Sequence, residues 1–390
     1  MSITAFPPRP VSVSSAELRG NWYEIDLQAI RHNYRQIRAH LHEHVAVYAC
    51  LKRNAYGCGA GPVAKALAAE NVYGFAVASL LDAIAIRREG ISNPVLLYPG
   101  ALPVAAATIE ALDLIVTVSS IAELRQWRTS VSNLRIFLKV DLGFFRAGAT
   151  PAQLVDLLAE AATDRTVRVE GIYAHLSELP GSGPELAHSQ RAKMNGILRQ
   201  IRSLGISVPV VMMSSTEGVL NYPDMDFDAV DPGALFFGIS DVEKPVRDVR
   251  LRPALTAIST TLISVKRLDQ SLDPPDSISW IRPDMVLGVI GMGWGDGLPR
   301  ALPERAVGLV RGKRARLLPP SHLEHIRIDL SHIPEARFGD QVVLLGRQGA
   351  EQISIEEFAS TRGTDAIGIY GDLRDHIPRL YINPKSKEGE

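Results

Sequence analysis

Cysteine is scarce: the 390-residue chain has only Cys50 and Cys58. Two cysteines make no disulfide framework, and this spacing matches no zinc pattern. Both flank Lys52, which leaves a redox role open, with burial the commoner fate of a thiol such as Cys50. A charge surplus is missing as well, since 42 Lys and Arg face 43 Asp and Glu for a formal net charge of -1. That balance gives no electrostatic case for nucleic acid or for an anionic membrane surface. No apolar run reaches the length of a membrane span, and the opening MSITAFPPRPVSVSS lacks the basic-then-apolar order of a signal peptide. The cytoplasm is therefore the expected compartment. Sequence repeats and low-complexity tracts are absent too.

What is present is an ordinary globular composition, 46% hydrophobic and 22% charged, in a chain longer than one compact core usually is. About two domains are expected. After a polar, proline-containing leader over 1–20, Trp22–Asp26 reads as a strand. A helix follows from Leu27 to about Glu43, with apolar residues at Leu27, Ile30, Tyr34, Ile37 and Leu41. Eight apolar runs come next: Val45–Leu51, Val72–Ala78, Val95–Tyr98, Leu114–Val118, Leu134–Val140, Val169–Tyr173, Val208–Met213 and Ala229–Phe237. Between them lie Ala/Leu-rich stretches of helical period, such as Pro62–Glu70, Ala122–Trp127, Ala152–Ala162 and His188–Leu204. Strands joined by helices pair in parallel, and eight such units close into an α/β (β/α)8 TIM-type barrel, here over 21–245. An open doubly wound sheet is the alternative. From 246 to 390 the texture changes to alternating and short runs (Ala254–Val265, Met285–Ile290, Ala306–Val310, His325–Leu330, Gln341–Leu345, Arg379–Ile382) punctuated by Gly and Pro. These predict a C-terminal β-rich domain, with which the 21–26 strand can also pack.

Polar residues cluster at the ends of the barrel runs. The first ends in Lys52, where a lysine closing a buried strand can be desolvated into a neutral nucleophile toward carbonyls. The fifth ends in Lys139, Asp141 and Arg146, and the sixth in His175. The seventh carries Ser214, Ser215 and Thr216, and the eighth Asp231 and Gly233. Each has a bland reading: a solvated lysine, a Lys139–Asp141 ion pair, a core histidine, a turn-shaping aspartate. In a barrel, however, all of them face one mouth, and the loops after strands seven and eight are where barrels commonly hold phosphate. A nucleophilic lysine opposite a phosphate site suggests pyridoxal phosphate held as a Schiff base.

Longer motifs then become recognisable. WYEIDLQAIRHN is similar to VEIDLDALRHN, LKRNAYGCG to VKANAYGHG, KVDLGFFRAG to KVDTGMxRLG, VDPGALFFGI to RPGIALYG, GVIGMGWGDGLPR to PIGYADGYPR and HIPRLYI to RVPRVYV. Over nearly its whole length the chain resembles the alanine racemase family of fold-type III pyridoxal-phosphate enzymes. The resemblance implies an amino-acid substrate and a pyridoxal 5'-phosphate cofactor bound to Lys52, which also acts as one acid/base. It implies that Tyr56, Ser215, Thr216 and the backbone of Gly233 and Ala234 surround the phosphate. It further implies that Lys139, at a position often carbamylated, orients Arg146 toward the substrate carboxylate, and that His175 flanks the cofactor. A homodimer in which each C-terminal domain covers the other subunit's barrel mouth is implied as well.

Three departures stand beside these matches. The family's eighth-strand arginine, which faces the pyridine nitrogen, is Asp231 here; a carboxylate favours a protonated ring and hence also transamination, retro-aldol cleavage or decarboxylation. The family's tyrosine acid/base of the C-terminal domain is missing from PDSISW (Pro275–Trp280), leaving Asp276, Ser277 and Ser279 as candidates, of which Asp276 is the acidic one. The family's GRISMD loop reads LPPSHLEHIRID, bringing His322, Glu324 and His325, and a phosphate-contacting tyrosine is replaced near Ile367 and Tyr370. The readings that follow are a racemase, another α-carbon enzyme on the same scaffold, or a non-catalytic pyridoxal-phosphate carrier.

Overall fold

The eight apolar runs become eight parallel strands of a closed barrel in the computed structural model, which describes residues 20–177, 183–269, 271, 278 and 280–382. The chain enters through β1 (Trp22–Asp26), and the Asp26 carboxylate caps the helix Leu27–Ala39 by accepting from the amides of Gln28 and Ala29. The barrel strands are β2 (Ala46–Cys50), β3 (Gly74–Val77), β4 (Val95–Leu97), β5 (Leu114–Val118), β6 (Leu134–Lys139), β7 (Val167–Tyr173), β8 (Val211–Ser214) and β9 (Ala229–Val230). The ring closes where β9 pairs with β2, Ala46 opposite Ala229 and Val47 opposite Val230. One side chain from each strand meets in a single buried cluster: Tyr48, Ala76, Leu96, Ile115, Phe137, Tyr173, Met212 and Ala229. Tyr48 stands between the alanines of its two neighbouring strands, and Phe137 and Tyr173 come from adjacent strands across the ring, so the interior is filled rather than hollow. Gly171 is required by this packing, because a Cβ at that position would lie 2.5 Å from the Phe137 ring.

The last apolar run is mostly not strand. The Asp231 amide still donates to the Ser214 carbonyl (3.0 Å), but Pro232 has no N–H to give, and Ala234–Phe237 curls into a 3-10 turn. The helices Ala60–Ala68, Ile121–Arg128, Pro151–Ala162 and Pro184–Ser203 are crossover segments between the barrel strands. Among the described residues no helix is long and apolar enough to cross a membrane.

The barrel unit runs from Asp26 to Ala254, past residue 245, and β1 belongs to the other compact unit. That second unit is a sheet of β1 with β10 (Leu255–Arg267), β11 (Val286–Ile290), β12 (Val307–Val310), β13 (Lys313–Leu318), β14 (Ile326–Asp329), β15 (Gln341–Gln348), β16 (Glu351–Ile353) and β17 (Arg379–Ile382). Within it β1 runs antiparallel to β10, Trp22 opposite Ser259. β13 is absent from the sequence reading. Its Lys313, Arg314 and Arg316 hide an alternation in which Ala315 and Leu317 face the core while Arg314 reaches Glu351 and Glu357.

Candidate active site

Lys52 stands just past the C-terminal end of β2, at the mouth where barrel enzymes place their chemistry. The expected desolvation of its amine is not found: Lys52 is exposed, because it leaves the strand at the rim rather than inside the ring. Its Nζ lies 5.8 Å from the centre of the Tyr56 ring. The backbone that follows turns the opposite way from an ordinary helix, with φ of 57, 56, 53 and 53° at Arg53, Asn54, Ala55 and Tyr56. Each non-glycine residue held so costs roughly 1–2 kcal/mol. Neighbouring polar groups enforce the turn. The Asn54 amide donates to Asp82 Oδ1 (2.9 Å), and Asn54 Oδ1 accepts from the Ala60 amide (2.8 Å). The result is that Tyr56 reaches across the β2–β9 seam. A Cβ added at Gly233 would lie 2.3 Å from Tyr56 Oη, so only glycine leaves room beside that hydroxyl.

On the opposite wall, Lys139 closes β6 and is buried, its Nζ 4.8 Å from the centre of the Tyr173 ring. Burial, and then the Arg146 guanidinium, push its amine down to about 8. The bland pairing with Asp141 is replaced by another arrangement. The Asp141 carboxylate accepts from the backbone amides of Gly143, Phe144, Phe145 and Arg146. Burial raises that carboxyl, but these four amides outweigh it and hold it below the usual carboxylate range. The loop they order presents Arg146, exposed, with its guanidinium 4.2 Å from the centre of the Phe144 ring. Phe144 meets His175 edge-on at 5.5 Å. Burial, reinforced by Lys139, Arg146 and Lys52, pushes His175 down to about 3, so its imidazole is neutral near neutral pH.

The remaining wall comes from β8 and β9. Ser214 is spent on structure, its hydroxyl donating to the Met225 carbonyl (2.8 Å). Ser215 and Thr216 start the short helix Thr216–Asn221, and Gly233 and Ala234 start the turn after β9. Asp231 is buried and its carboxyl is pushed up to about 6 by that burial. Its Oδ2 accepts from the Tyr98 hydroxyl at 2.7 Å, whereas Oδ1 has no hydrogen-bond partner among the described residues. Tyr98 went unnoticed in the sequence as the last residue of an apolar run; a tyrosine closing a barrel strand at the lysine's end was the available signal. Cys50, fully enclosed with its thiol pushed up by burial, is packing rather than a reactive group.

In the second unit the candidates are scattered. Asp276, Ser277 and Ser279 lie outside the described residues. His322, Glu324 and His325 are exposed on a loop whose His322 and Leu323 carbonyls accept from the Trp294 and Gly295 amides (2.9 and 2.8 Å). Tyr370 is buried and holds β10, its hydroxyl accepting from the Leu255 amide at 2.8 Å. No cluster of three or more metal-ligating side chains occurs among the described residues.

Pyridoxal phosphate fits the barrel mouth on two observations. A buried carboxyl oxygen lacks a partner that a ring N–H would supply, and a bare glycine backbone lies beside a tyrosine hydroxyl where phosphate oxygens need donors. Comparison with known proteins agrees with the geometry. The alanine racemase N-terminal domain matches residues 25–241, and the alanine racemase C-terminal domain matches 260–381. An alanine racemase of Halothermothrix orenii is 26% identical over 374 residues, covering 94% of this chain and 97% of that one. The solved alanine racemase of Bacillus anthracis has a TM-score of 0.83 at 26% identity, covering 94% of this chain and 96% of its own. That of E. faecalis also gives 0.83, at 27% identity, with 93% and 98% covered. This chain belongs to the alanine racemase family.

Proposed function

We propose that the protein is a pyridoxal-phosphate-dependent amino-acid racemase, an isomerase that moves the α-proton of a bound amino acid from one face to the other. The observation that carries this is the lysine after β2 sharing one mouth with Lys139, Arg146, His175 and Asp231 in a chain matched by both domains of the family. The cofactor, when bound, would weaken the Cα–H bond by drawing electron density into its ring. The chain's own groups do the rest. Lys52 Nζ would hold the cofactor and carry the proton on one face. Tyr56, Ser215, Thr216 and the amides of Gly233 and Ala234 would hold the phosphate. Arg146 presents a planar donor fork to a substrate carboxylate, braced by Phe144. His175, neutral, would flank the ring without competing for the proton.

Lys139 and Arg146 are like charges that repel each other, which helps to push the Lys139 amine down to about 8. The neutral amine can add to carbon dioxide, forming an N–C bond and releasing one proton to water. The resulting carbamate would convert that repulsion into an attraction that aims Arg146. Racemisation also requires a proton donor on the second face. Asp276, lent by a second copy of this chain in a homodimer, is the candidate, and it would need a raised pKa to serve.

The test is incubation with a panel of amino acids in deuterated water, read by mass and chirality together. Inversion with one α-deuteron is expected, and Lys52→Ala should lose both the exchange and the absorbance of bound cofactor. Retained cofactor absorbance in Lys52→Ala would count against the assignment. The buried carboxyl of Asp231 favours a second reading, another α-carbon reaction such as transamination, retro-aldol cleavage or decarboxylation. The same panel would then yield keto acid, cleavage product or amine in place of the mirror-image substrate. A non-catalytic carrier would exchange no α-proton at all.

A further inference from the structure

Tyr98 and Asp231 come from opposite parts of the barrel, the first directly after β4 and the second directly after β9, and are 133 residues apart in sequence. Their hydroxyl–carboxyl contact is 2.7 Å long. Burial, and then the Asp231 charge, push the Tyr98 phenol well above its ordinary range, so Tyr98 keeps its proton and is the donor. Asp231 is 5% exposed, yet its carboxyl is only half satisfied, since Oδ1 meets no donor among the described residues. A buried carboxyl with a purely structural task is normally closed on both oxygens, as Asp226 is by Arg247 Nη1 and Nη2. An isolated half-satisfied carboxyl is costly to maintain and points to an absent partner.

Resting on the cofactor reading above, we propose that Tyr98 is a positioning residue: it pins Oδ2 of Asp231 so that Oδ1 is left to pair with a ring-nitrogen N–H of bound pyridoxal phosphate. The two side chains then act as one unit that sets the protonation of the ring. The phenol matters because Asp231 is otherwise surrounded by groups of mixed effect. Cys50 and Lys52 face it from the end of β2, Lys139 from β6 and Tyr173 from β7, while its own amide is tied to the Ser214 carbonyl. The cations favour ionisation at a distance, but only Tyr98 does so by a direct side-chain hydrogen bond that also fixes which oxygen is spent.

The first measurement needs no cofactor. The carboxyl stretching band of Asp231, assigned by its loss in Asp231→Asn, is titrated by infrared difference spectroscopy in wild type and Tyr98→Phe. Losing a hydrogen bond to the charged form should move the titration upward by about one to two pH units. 3-Fluorotyrosine placed at position 98, a stronger donor of nearly the same shape, should move it downward; this arm holds even if Tyr98→Phe does not fold. In the loaded protein the absorbance of the bound chromophore should titrate differently in Tyr98→Phe than in wild type, in the direction of Asp231→Asn. An unmoved Asp231 band in both variants, or normal loading with an unchanged chromophore titration in Tyr98→Phe, overturns the role of Tyr98 alone. Absence of any Lys52-dependent cofactor absorbance in wild type overturns the cofactor reading and this proposal with it.

Discussion

The two ends of the barrel treat a buried aspartate in opposite ways. Asp226 lies before β9, at the end where strands begin; Asp231 lies after it, where they finish. Arg247 donates to both oxygens of Asp226 and to the Val219 carbonyl as well, with both side chains of the pair almost fully enclosed. Among the described residues Asp231 receives one side-chain hydrogen bond, from a phenol, and shares its surroundings with two lysines. The closed pair serves stability, whereas the open one would keep an oxygen free for the proposed cofactor. Barrel architecture explains the division, since loops at the finishing end can vary without disturbing the ring that the other end secures.

Breaking the closed pair should have the largest effect. Arg247→Met leaves a buried carboxylate unpaired and should destabilise by about 3–5 kcal/mol in denaturant unfolding. Adding Asp226→Leu should recover much of that loss, and a double variant no better than the single would refute the pairing argument. The open aspartate should instead reveal itself through pH. Asp231 is raised from 3.8 to about 6, so the folded protein holds that proton more tightly than the unfolded chain does. Its contribution is present below about pH 4 and lost as pH rises through about 6. His175, lowered from 6.5 to about 3, acts with the opposite sign, adding stability as pH rises across the same window. In cofactor-free protein, Asp231→Asn should therefore gain on wild type between about pH 4 and 6, by on the order of 3 kcal/mol. A constant difference across that range would contradict the burial of this group. The smallest effect concerns the seam. Gly233→Ala places a methyl against the Tyr56 hydroxyl and should weaken pyridoxal-phosphate uptake about tenfold, roughly 1.4 kcal/mol, while leaving the barrel folded. Equilibrium dialysis together with circular dichroism separates the two quantities.

The barrel was largely legible from sequence because strands buried on both faces are written as uninterrupted apolar runs, and parallel pairing forces helices between them. Its eighth strand was not, since Pro232, which has no N–H, ends the strand inside a run that hydrophobicity alone continues to Phe237. In the second unit, β13 escaped because Lys313, Arg314 and Arg316 break up its apolar residues, so hydrophobic counting misses an interior strand that alternation would have found. At the mouth, Lys139, Arg146, His175 and Asp231 were accessible as polar endings of apolar runs. Their partners were not. Tyr98 and Tyr173 read as the ends of apolar runs and Phe144 as part of a loop motif, and only three-dimensional closure of the ring shows that Tyr98 donates to Asp231 while Phe144 packs against both Arg146 and His175. The exposure of Lys52 was equally invisible, because a residue's depth at a strand end depends on where the ring's rim falls.

The reversed turn at 53–56 has a consequence for chemical synthesis of the protein. Four consecutive L-residues occupy the backbone well that their mirror images prefer. A D-amino acid introduced at the exposed position 53 would settle into its own favoured conformation there, whereas in any ordinary helix it would be disruptive. Semisynthesis with D-arginine at that position is thus expected to be tolerated, in a protein whose proposed task is to exchange one handedness for the other.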